Sequence, residues 1–124
     1  NAIFSESTAH LLANMLQGVV DSGTATTLRS VYGVNCDIAG KTGTTQDNAD
    51  GWFIGFTPGI VAGAWVGAEW PAIRFRSTAL GSGSHMALPI IGKTIKKIEK
   101  DKKLRIISTI EIIKIVVIVE STGW

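Results

Sequence analysis

One short segment of the chain concentrates side chains that can bind an anion. It is the hexapeptide Gly-Lys-Thr-Gly-Thr-Thr at residues 40–45, which follows a largely apolar run. Its lysine carries a positive charge, its three threonines carry hydroxyl donors, and its two glycines let a ligand approach the backbone closely. We therefore predict a strand over residues 34–44 that carries an anion-binding site near its end.

Two β-rich runs follow this segment and must support it. Residues 46–51 have the composition of a polar turn, and Pro58-Gly59 separates a run at 52–57 from a run at 60–68. This pattern predicts an antiparallel hairpin. Apolar residues occupy nearly every position of both runs, which is typical of strands that are covered on both faces. The acidic residues of the turn lack the ligand spacing of a calcium loop, so we predict no metal site there.

Two helices are predicted beside these strands. The first spans residues 9–21, with Ser7 or Thr8 as its N-cap, and the second spans residues 86–100, with Pro89 in its first turn. Helical spacing predicts a buried stripe on the first helix, formed by Leu12, Met15, Leu16, Val19 and Val20. It also predicts a buried face on the second helix, formed by Ala87, Ile91, Ile95 and Ile98. The connection at 69–84 either lines a groove or packs as a surface loop.

Length and composition indicate a single globular domain. The chain has 124 residues, of which 45% are hydrophobic, and its formal net charge of +2 is too small to argue for nucleic-acid binding. Cys36 is the only cysteine, so no internal disulfide can form, and we expect it to pack as a small hydrophobic residue. We recognise no secretory leader, and the apolar run at 106–119 is too short and too charged for a membrane span.

The segment at 39–58 resembles the third active-site motif, and the strand pair after it, of the penicillin-binding transpeptidases. The likeness is greatest to the bifunctional class A enzymes, and it extends from about Ser7 to about Ile98. It includes residues 15–20 and 23–25 upstream of the motif, and residues 76–81 and 87–90 downstream of it. The resemblance implies an α+β chain with part of the penicillin-binding-protein and serine β-lactamase fold: an antiparallel sheet, made of the motif strand and the hairpin, with flanking helices.

The resemblance also implies a chemistry, the cross-linking of peptidoglycan stem peptides. In this family a serine attacks the carbonyl of the penultimate D-Ala, the terminal D-Ala leaves, and an amine from a neighbouring stem peptide resolves the acyl-enzyme. Lys41 would attract the substrate carboxylate, the Thr42 and Thr44 hydroxyls would bond it, and Gly43 would leave room for the substrate backbone. Thr45 belongs to the same substrate-binding set. The Thr44 N–H would form one arm of the oxyanion hole, a position worth about 3–4 kcal/mol in comparable sites.

The chain departs from the family pattern in one respect that matters for activity. No serine in it is followed by lysine three positions on or by asparagine two positions on, so the Ser-x-x-Lys and Ser-x-Asn motifs are absent. We therefore expect no catalytic nucleophile in this chain and no acyl transfer by it alone. Alternatives to a transpeptidase part are a non-catalytic module that binds peptidoglycan peptides or β-lactams, a purely structural piece, and a serine β-lactamase-related piece.

The division of the chain and its context follow from the same resemblance. We predict that residues 1–100 form the C-terminal portion of a transpeptidase domain and that residues 101–124 form an atypical tail rich in Ile and Val. The tail is predicted to add a strand over 104–119 beside the run at 60–68, within the chain or by exchange between copies. Expected partners are a stem peptide or β-lactam and the N-terminal part of the domain, without cofactors. The implied parent protein is anchored in the bacterial inner membrane, with a periplasmic catalytic domain, and whether a glycosyltransferase domain precedes it stays open.

Overall fold

A computed structural model describes residues 2–70, 72–105 and 113–121. The helices in chain order are α1 (Glu6–Ser22), α2 (Thr27–Ser30), α3 (Thr78–Gly81), α4 (Gly83–Met86) and α5 (Leu88–Lys100). The strands are β1 (Ala39–Thr44), β2 (Asp50–Phe56), β3 (Ile60–Ala68) and β4 (Ile113–Ser121). A single 3-10 turn, Gln46–Asn48, connects β1 to β2. The expected α+β class, with flanking helices around a motif strand and a hairpin, is confirmed.

The four strands form one sheet in the order β1-β2-β3-β4. β1 pairs antiparallel with β2, and β2 pairs antiparallel with β3, so the predicted hairpin is confirmed. The Pro58-Gly59 turn is closed by Thr57, whose N–H donates to the Ile60 carbonyl at 2.8 Å and whose hydroxyl accepts from the Ile60 N–H at 3.0 Å. β1 lies in the same sheet, beside the first strand of this hairpin.

The motif strand begins at Ala39, and the prediction that it begins at residue 34 is wrong. Residues 34–36 bond to other groups than a neighbouring strand: the Val34 N–H donates to the Leu28 carbonyl at 2.9 Å, and side chains bond four further backbone groups. The Arg29 guanidinium donates to the carbonyls of Val34 (2.9 Å) and Cys36 (2.7 Å). The Glu99 carboxylate accepts from the N–H groups of Asn35 (2.8 Å) and Cys36 (2.7 Å). An apolar run can therefore be buried here, as Val34 is, without strand pairing.

Helix α1 starts earlier than predicted, and its apolar stripe is largely open. Ser5 is its N-cap, not Ser7 or Thr8, because the Ser5 hydroxyl accepts from the Thr8 N–H at 3.2 Å. Of the predicted stripe only Val20 is fully buried, whereas Leu12 is 44% and Met15 is 72% exposed. The helix packs on β1, the edge strand, and its buried residue lies in the last turn. The predicted stripe is therefore wrong at Leu12 and Met15, which are exposed.

The sheet has one covered face and one open face. The covered face carries Phe53, Ala62 and Ala64, which are buried in one core with residues of α5. The open face carries Trp52 and Ile54, which are 40% and 50% exposed. The expectation that both faces of the hairpin are covered is therefore wrong for the described residues. Continuous apolar sequence does not by itself show which face another element covers.

The second predicted helix agrees with its predicted apolar face, whereas the connection before it contains helices that were not predicted. The predicted apolar face of the helix is confirmed: Ala87, Ile91, Ile95 and Ile98 are all buried. The connection at 69–84 contains α3 and the first residues of α4, which the sequence did not predict. Its Arg74 pairs with Asp47 at 2.9 Å, so this segment is held to the turn that follows β1.

Part of the C-terminal tail lies in the sheet. β4 runs parallel to β3, with Ile113 opposite Ile60 and Ser121 opposite Ala68. Residues 102–105 are helical, so the predicted strand does not start at Leu104. Residues 106–112 of the predicted strand lie outside the described residues. The proposed division at residue 100 and exchange between copies stay predictions.

Candidate anion-binding site

The site is built on the edge of the sheet that β1 forms. Among the described residues β1 pairs with β2 alone. The Thr45 N–H donates to the Asp50 carbonyl at 3.2 Å, directly beyond the ladder between the two strands. Because the direction of peptide groups alternates along an antiparallel strand, those of Thr42 and Thr44 point away from β2. The edge thus presents the Thr44 N–H on the side of β1 away from β2.

The Thr42 and Thr44 side chains lie on the same face of β1, opposite Phe53 and Gly51. Each hydroxyl is held by a group outside the strand. Thr42 Oγ1 lies 2.8 Å from Thr24 Oγ1, just beyond the end of α1. Thr44 Oγ1 accepts a hydrogen bond of 3.0 Å from the Gly83 N–H, at the start of α4. Two threonines at alternate positions therefore form a small, supported hydroxyl pair.

Lys41 leaves the strand on the other face, opposite Ile54. Its Nζ nevertheless donates to the Thr42 carbonyl at 2.8 Å, so the ammonium group lies at the same edge as the threonines. Lys41 is exposed, and its charge is available to a ligand at that edge. The structure thus brings together Lys41, Thr42 and Thr44.

Thr45 has a different position from the other predicted site residues. Its hydroxyl accepts from the Asp50 N–H at 3.1 Å and lies 3.3 Å from the Asp50 carbonyl. Asp50 in turn accepts from the Trp65 indole N–H at 3.0 Å. These bonds fix the turn after β1, which contains Asp47 and Asn48 with positive φ values of 62° and 57°. The Thr45 hydroxyl is thus engaged in the turn and is not part of the hydroxyl pair.

Two glycines allow close contacts at the motif strand: Gly83 lets α4 approach it, and Gly43 lies against Trp52. A Cβ atom on Gly83 would meet the Gly43 and Trp52 carbonyl oxygens, which are backbone atoms that cannot rotate away. A Cβ atom on Gly43 would lie 3.3 Å from Trp52 Cβ, tighter than an ordinary contact. The resemblance assigns Gly43 the role of leaving space for the substrate. In this structure Gly43 also leaves space for the Trp52 side chain.

Two supporting residues, Thr24 and Gly83, were not predicted as site residues. Thr24 belongs to a short polar connection, and Gly83 to a Gly-Ser alternation at 81–84, which have the composition of ordinary loops. The resemblance covers Gly23-Thr24-Ala25, but nothing in the sequence places it beside β1. Only the three-dimensional pairing across 18 and 39 positions of sequence identifies these residues.

A serine–histidine pair lies beside the site, at the start of α4. Ser82 Oγ is 2.6 Å from His85 Nδ1, a geometry that resembles a nucleophile with its base. Ser82 is only 8% exposed, however, and its carbonyl accepts from the His85 and Met86 N–H groups at 3.0 Å, which closes the first turn of α4. We therefore assign the pair to the closure of that helical turn.

Cys36 lies away from the hydroxyl pair, on the connection before β1. Burial raises the pKa of its thiol to about 12, and the neighbouring Glu99 carboxylate adds to the effect. Such a thiol is protonated at neutral pH and is a poor nucleophile.

Within residues 2–70, 72–105 and 113–121, no group of three His, Cys, Asp or Glu side chains could hold a metal ion. No helix in that part of the chain is long and apolar enough to cross a membrane.

Comparisons with known proteins give the same family as the motif. Residues 1–67 match the family model of the penicillin-binding protein transpeptidase domain. Penicillin-binding protein 1A of Rickettsia typhi is 34% identical over 121 residues, which are 98% of this chain and 15% of that protein. The Pseudomonas aeruginosa protein of the same name is 37% identical over 102 residues, 82% of this chain and 12% of its own length.

The chain thus spans about 15% or less of these relatives. No solved structure matched it. The family match covers more than half of the 124 residues, and it includes β1, β2 and nearly all of β3. The chain therefore belongs to the penicillin-binding protein transpeptidase family and corresponds to part of the transpeptidase domain of a class A penicillin-binding protein.

Proposed function

We propose that this chain supplies the carboxylate-binding wall of a D,D-transpeptidase site that cross-links peptidoglycan stem peptides. The observation that carries the proposal is the edge of β1, where the Lys41 ammonium donates to the Thr42 carbonyl and the Thr42 and Thr44 side chains share one face of the strand. A stem peptide ending in D-Ala-D-Ala, or a β-lactam, is the expected ligand. The parent protein would be membrane-anchored, with this domain outside the inner membrane.

Each group at the edge has a separate task in this proposal. Lys41 attracts the terminal carboxylate, and a charge-assisted hydrogen bond at this position is about twice as strong as a neutral one. The Thr42 and Thr44 hydroxyls donate to the carboxylate oxygens. The Thr44 N–H donates to the oxygen that becomes negative when the penultimate D-Ala carbonyl is attacked. The Ser-x-x-Lys motif that carries the attacking serine is absent from this sequence, so a different segment must supply that serine. The chain alone then binds the peptide but forms no acyl-enzyme.

Replacing Lys41 tests the electrostatic part of the proposal. We expect Lys41→Met to weaken the binding of a D-Ala-D-Ala peptide to the chain by about tenfold, which corresponds to roughly 1.4 kcal/mol of lost interaction. Isothermal titration calorimetry at low ionic strength measures this change. The effect should shrink in high salt, because Lys41 is exposed and its charge is screened.

Lys93→Met is the matched control for this experiment. Lys93 is an exposed cation on α5, and its loss changes the net charge equally without touching β1. We expect it to leave the peptide affinity within a factor of two. Equal losses in both variants would show only a general charge effect. A wild-type chain that binds no D-Ala-D-Ala peptide would refute the proposed binding function.

A further inference from the structure

We propose that Thr24 is a positioning residue for the carboxylate-binding wall: its hydroxyl fixes the rotamer of Thr42 and directs the Thr42 proton toward the ligand. The inference rests on the proposed function for the identity of the ligand, but the effect of Thr24 on the Thr42 rotamer does not depend on that function. The observation is the hydrogen bond of 2.8 Å between Thr24 Oγ1 and Thr42 Oγ1. It joins the end of α1 to the motif strand.

Thr24 is held rigidly enough to serve as a reference point. The residues on either side of it are both anchored to one carbonyl, because Gly23 N–H and Ala25 N–H each donate to the Val19 oxygen at 3.1 Å. Ala25 is completely buried, whereas Thr24 is exposed. The connection therefore folds back on the last turn of α1 and presents the Thr24 side chain to β1.

The hydrogen bond from Thr24 determines whether the Thr42 hydroxyl can still donate to a ligand. A threonine hydroxyl has one proton to donate and two lone pairs that accept. If Thr24 donates to Thr42, the Thr42 proton remains available for an anion, and the chain of two hydroxyls strengthens both bonds. A bound carboxylate requires that direction, because it can only accept. Ligand binding thus selects the arrangement in which Thr24 supports Thr42.

Thr44 shows the same arrangement with a different support. Its hydroxyl accepts from the Gly83 N–H at 3.0 Å, so its own proton is also left for a ligand. The two threonines are two positions apart on the strand, about 6.6 Å, which leaves room for one acceptor group between two hydrogen bonds. The support of Thr44 comes from the backbone N–H of Gly83, which has no side-chain hydroxyl to remove. The support of Thr42 comes from the Thr24 side chain, so a substitution of Thr24 can remove it.

Thr24→Val tests the inference, because valine has nearly the shape of threonine but no hydroxyl. Three-bond NMR couplings report the Thr42 χ1 rotamer in the ligand-free chain. We expect a single rotamer in the wild type and averaging between rotamers in Thr24→Val, with the single rotamer restored in Thr24→Ser. Ser22→Ala is the control, since it removes an exposed hydroxyl nearby that bonds to its own helix, at the Gly18 carbonyl. An unchanged Thr42 rotamer in Thr24→Val would overturn the proposal.

Titration with a D-Ala-D-Ala peptide then tests the consequence for binding. We expect a three- to tenfold weaker affinity in Thr24→Val, wild-type affinity in Thr24→Ser and Ser22→Ala, and equal midpoints of thermal unfolding in all four proteins. A shifted rotamer with unchanged affinity would reject the positioning role. Failure of the wild type to bind would refute the proposed function, while the rotamer measurement would still decide whether Thr24 fixes Thr42.

Discussion

Substituting alanine for Gly83 should destabilise the chain strongly, because α4 lies against the motif strand at this position. The new Cβ would press against the Gly43 and Trp52 carbonyl oxygens, and both belong to the paired strands β1 and β2. Neither can move without disturbing the ladder, so we expect a loss of about 3 kcal/mol in the free energy of unfolding, at the upper end for overpacking. Urea denaturation measures it. The same displacement would break the Gly83–Thr44 hydrogen bond.

Gly18→Ala is the matched control for this substitution. Gly18 lies in the interior of α1, and a Cβ atom there would meet nothing within 4 Å. Alanine is the better helix former, so we expect this variant to be more stable than the wild type by about 0.5–1 kcal/mol. Equal effects of the two substitutions, or a neutral Gly83→Ala, would show that α4 does not contact the motif strand as described.

Neutralising Glu99 should release the connection that leads into β1. The Glu99 carboxylate accepts from the N–H groups of Asn35 and Cys36 and forms an ion pair of 3.1 Å with Lys96, whose ammonium also donates to the Gly33 carbonyl. Glu99→Gln keeps the shape but replaces charge-assisted bonds with weaker neutral ones. We expect a loss of about 2 kcal/mol in the free energy of unfolding at pH 7.

The pH dependence separates this effect from simple packing. Burial acts to raise the pKa of Glu99, but the hydrogen bonds from Cys36, Asn35 and Lys96 outweigh it, so the pKa is lowered on balance. The native state then binds the proton less readily than the unfolded state. This contribution to stability is therefore present above the unfolded pKa, about 4.3, and is lost as the pH falls through the lower native value.

Urea unfolding from pH 7 to pH 3 gives the decisive comparison for Glu99. The difference between wild type and Glu99→Gln should shrink as the pH falls below about 4.3. Glu69→Gln, which removes an exposed carboxylate after β3, should change the free energy of unfolding by less than about 0.5 kcal/mol throughout. A pH-independent difference for Glu99→Gln would contradict the role assigned to its charge.

The sequence predicted the elements that local pattern determines. The hairpin is marked by Pro58-Gly59 between two β-rich runs, and the apolar face of α5 by its helical spacing, and both are confirmed. Pattern alone could not predict which apolar surfaces another element covers. Met15 has the spacing of a core residue on α1 and is exposed, and Ile54 is exposed on the open face of the sheet.

The sequence predicted that the motif residues lie together, and their role in binding stays a prediction. Lys41, Thr42 and Thr44 do lie together at one edge, whereas Thr45 is engaged in the turn with Asp50. The supports of the threonines come from distant segments whose composition is that of ordinary loops. The start of β1 was missed for a related reason, because most of the groups that bond residues 34–36 are charged side chains of α2 and α5. Such long-range polar contacts have no local signature.

The most direct measurement of the central claim is an NMR titration of the 15N-labelled chain with two peptides. One ends in D-Ala-D-Ala with a free carboxylate, and the other ends in the corresponding amide. We predict that the free acid shifts the amide resonances of residues 41–44, with the largest change at the Thr44 N–H, and that the amide peptide shifts them far less. Equal responses to both peptides, or shifts confined to other parts of the chain, would contradict a carboxylate-binding edge at β1.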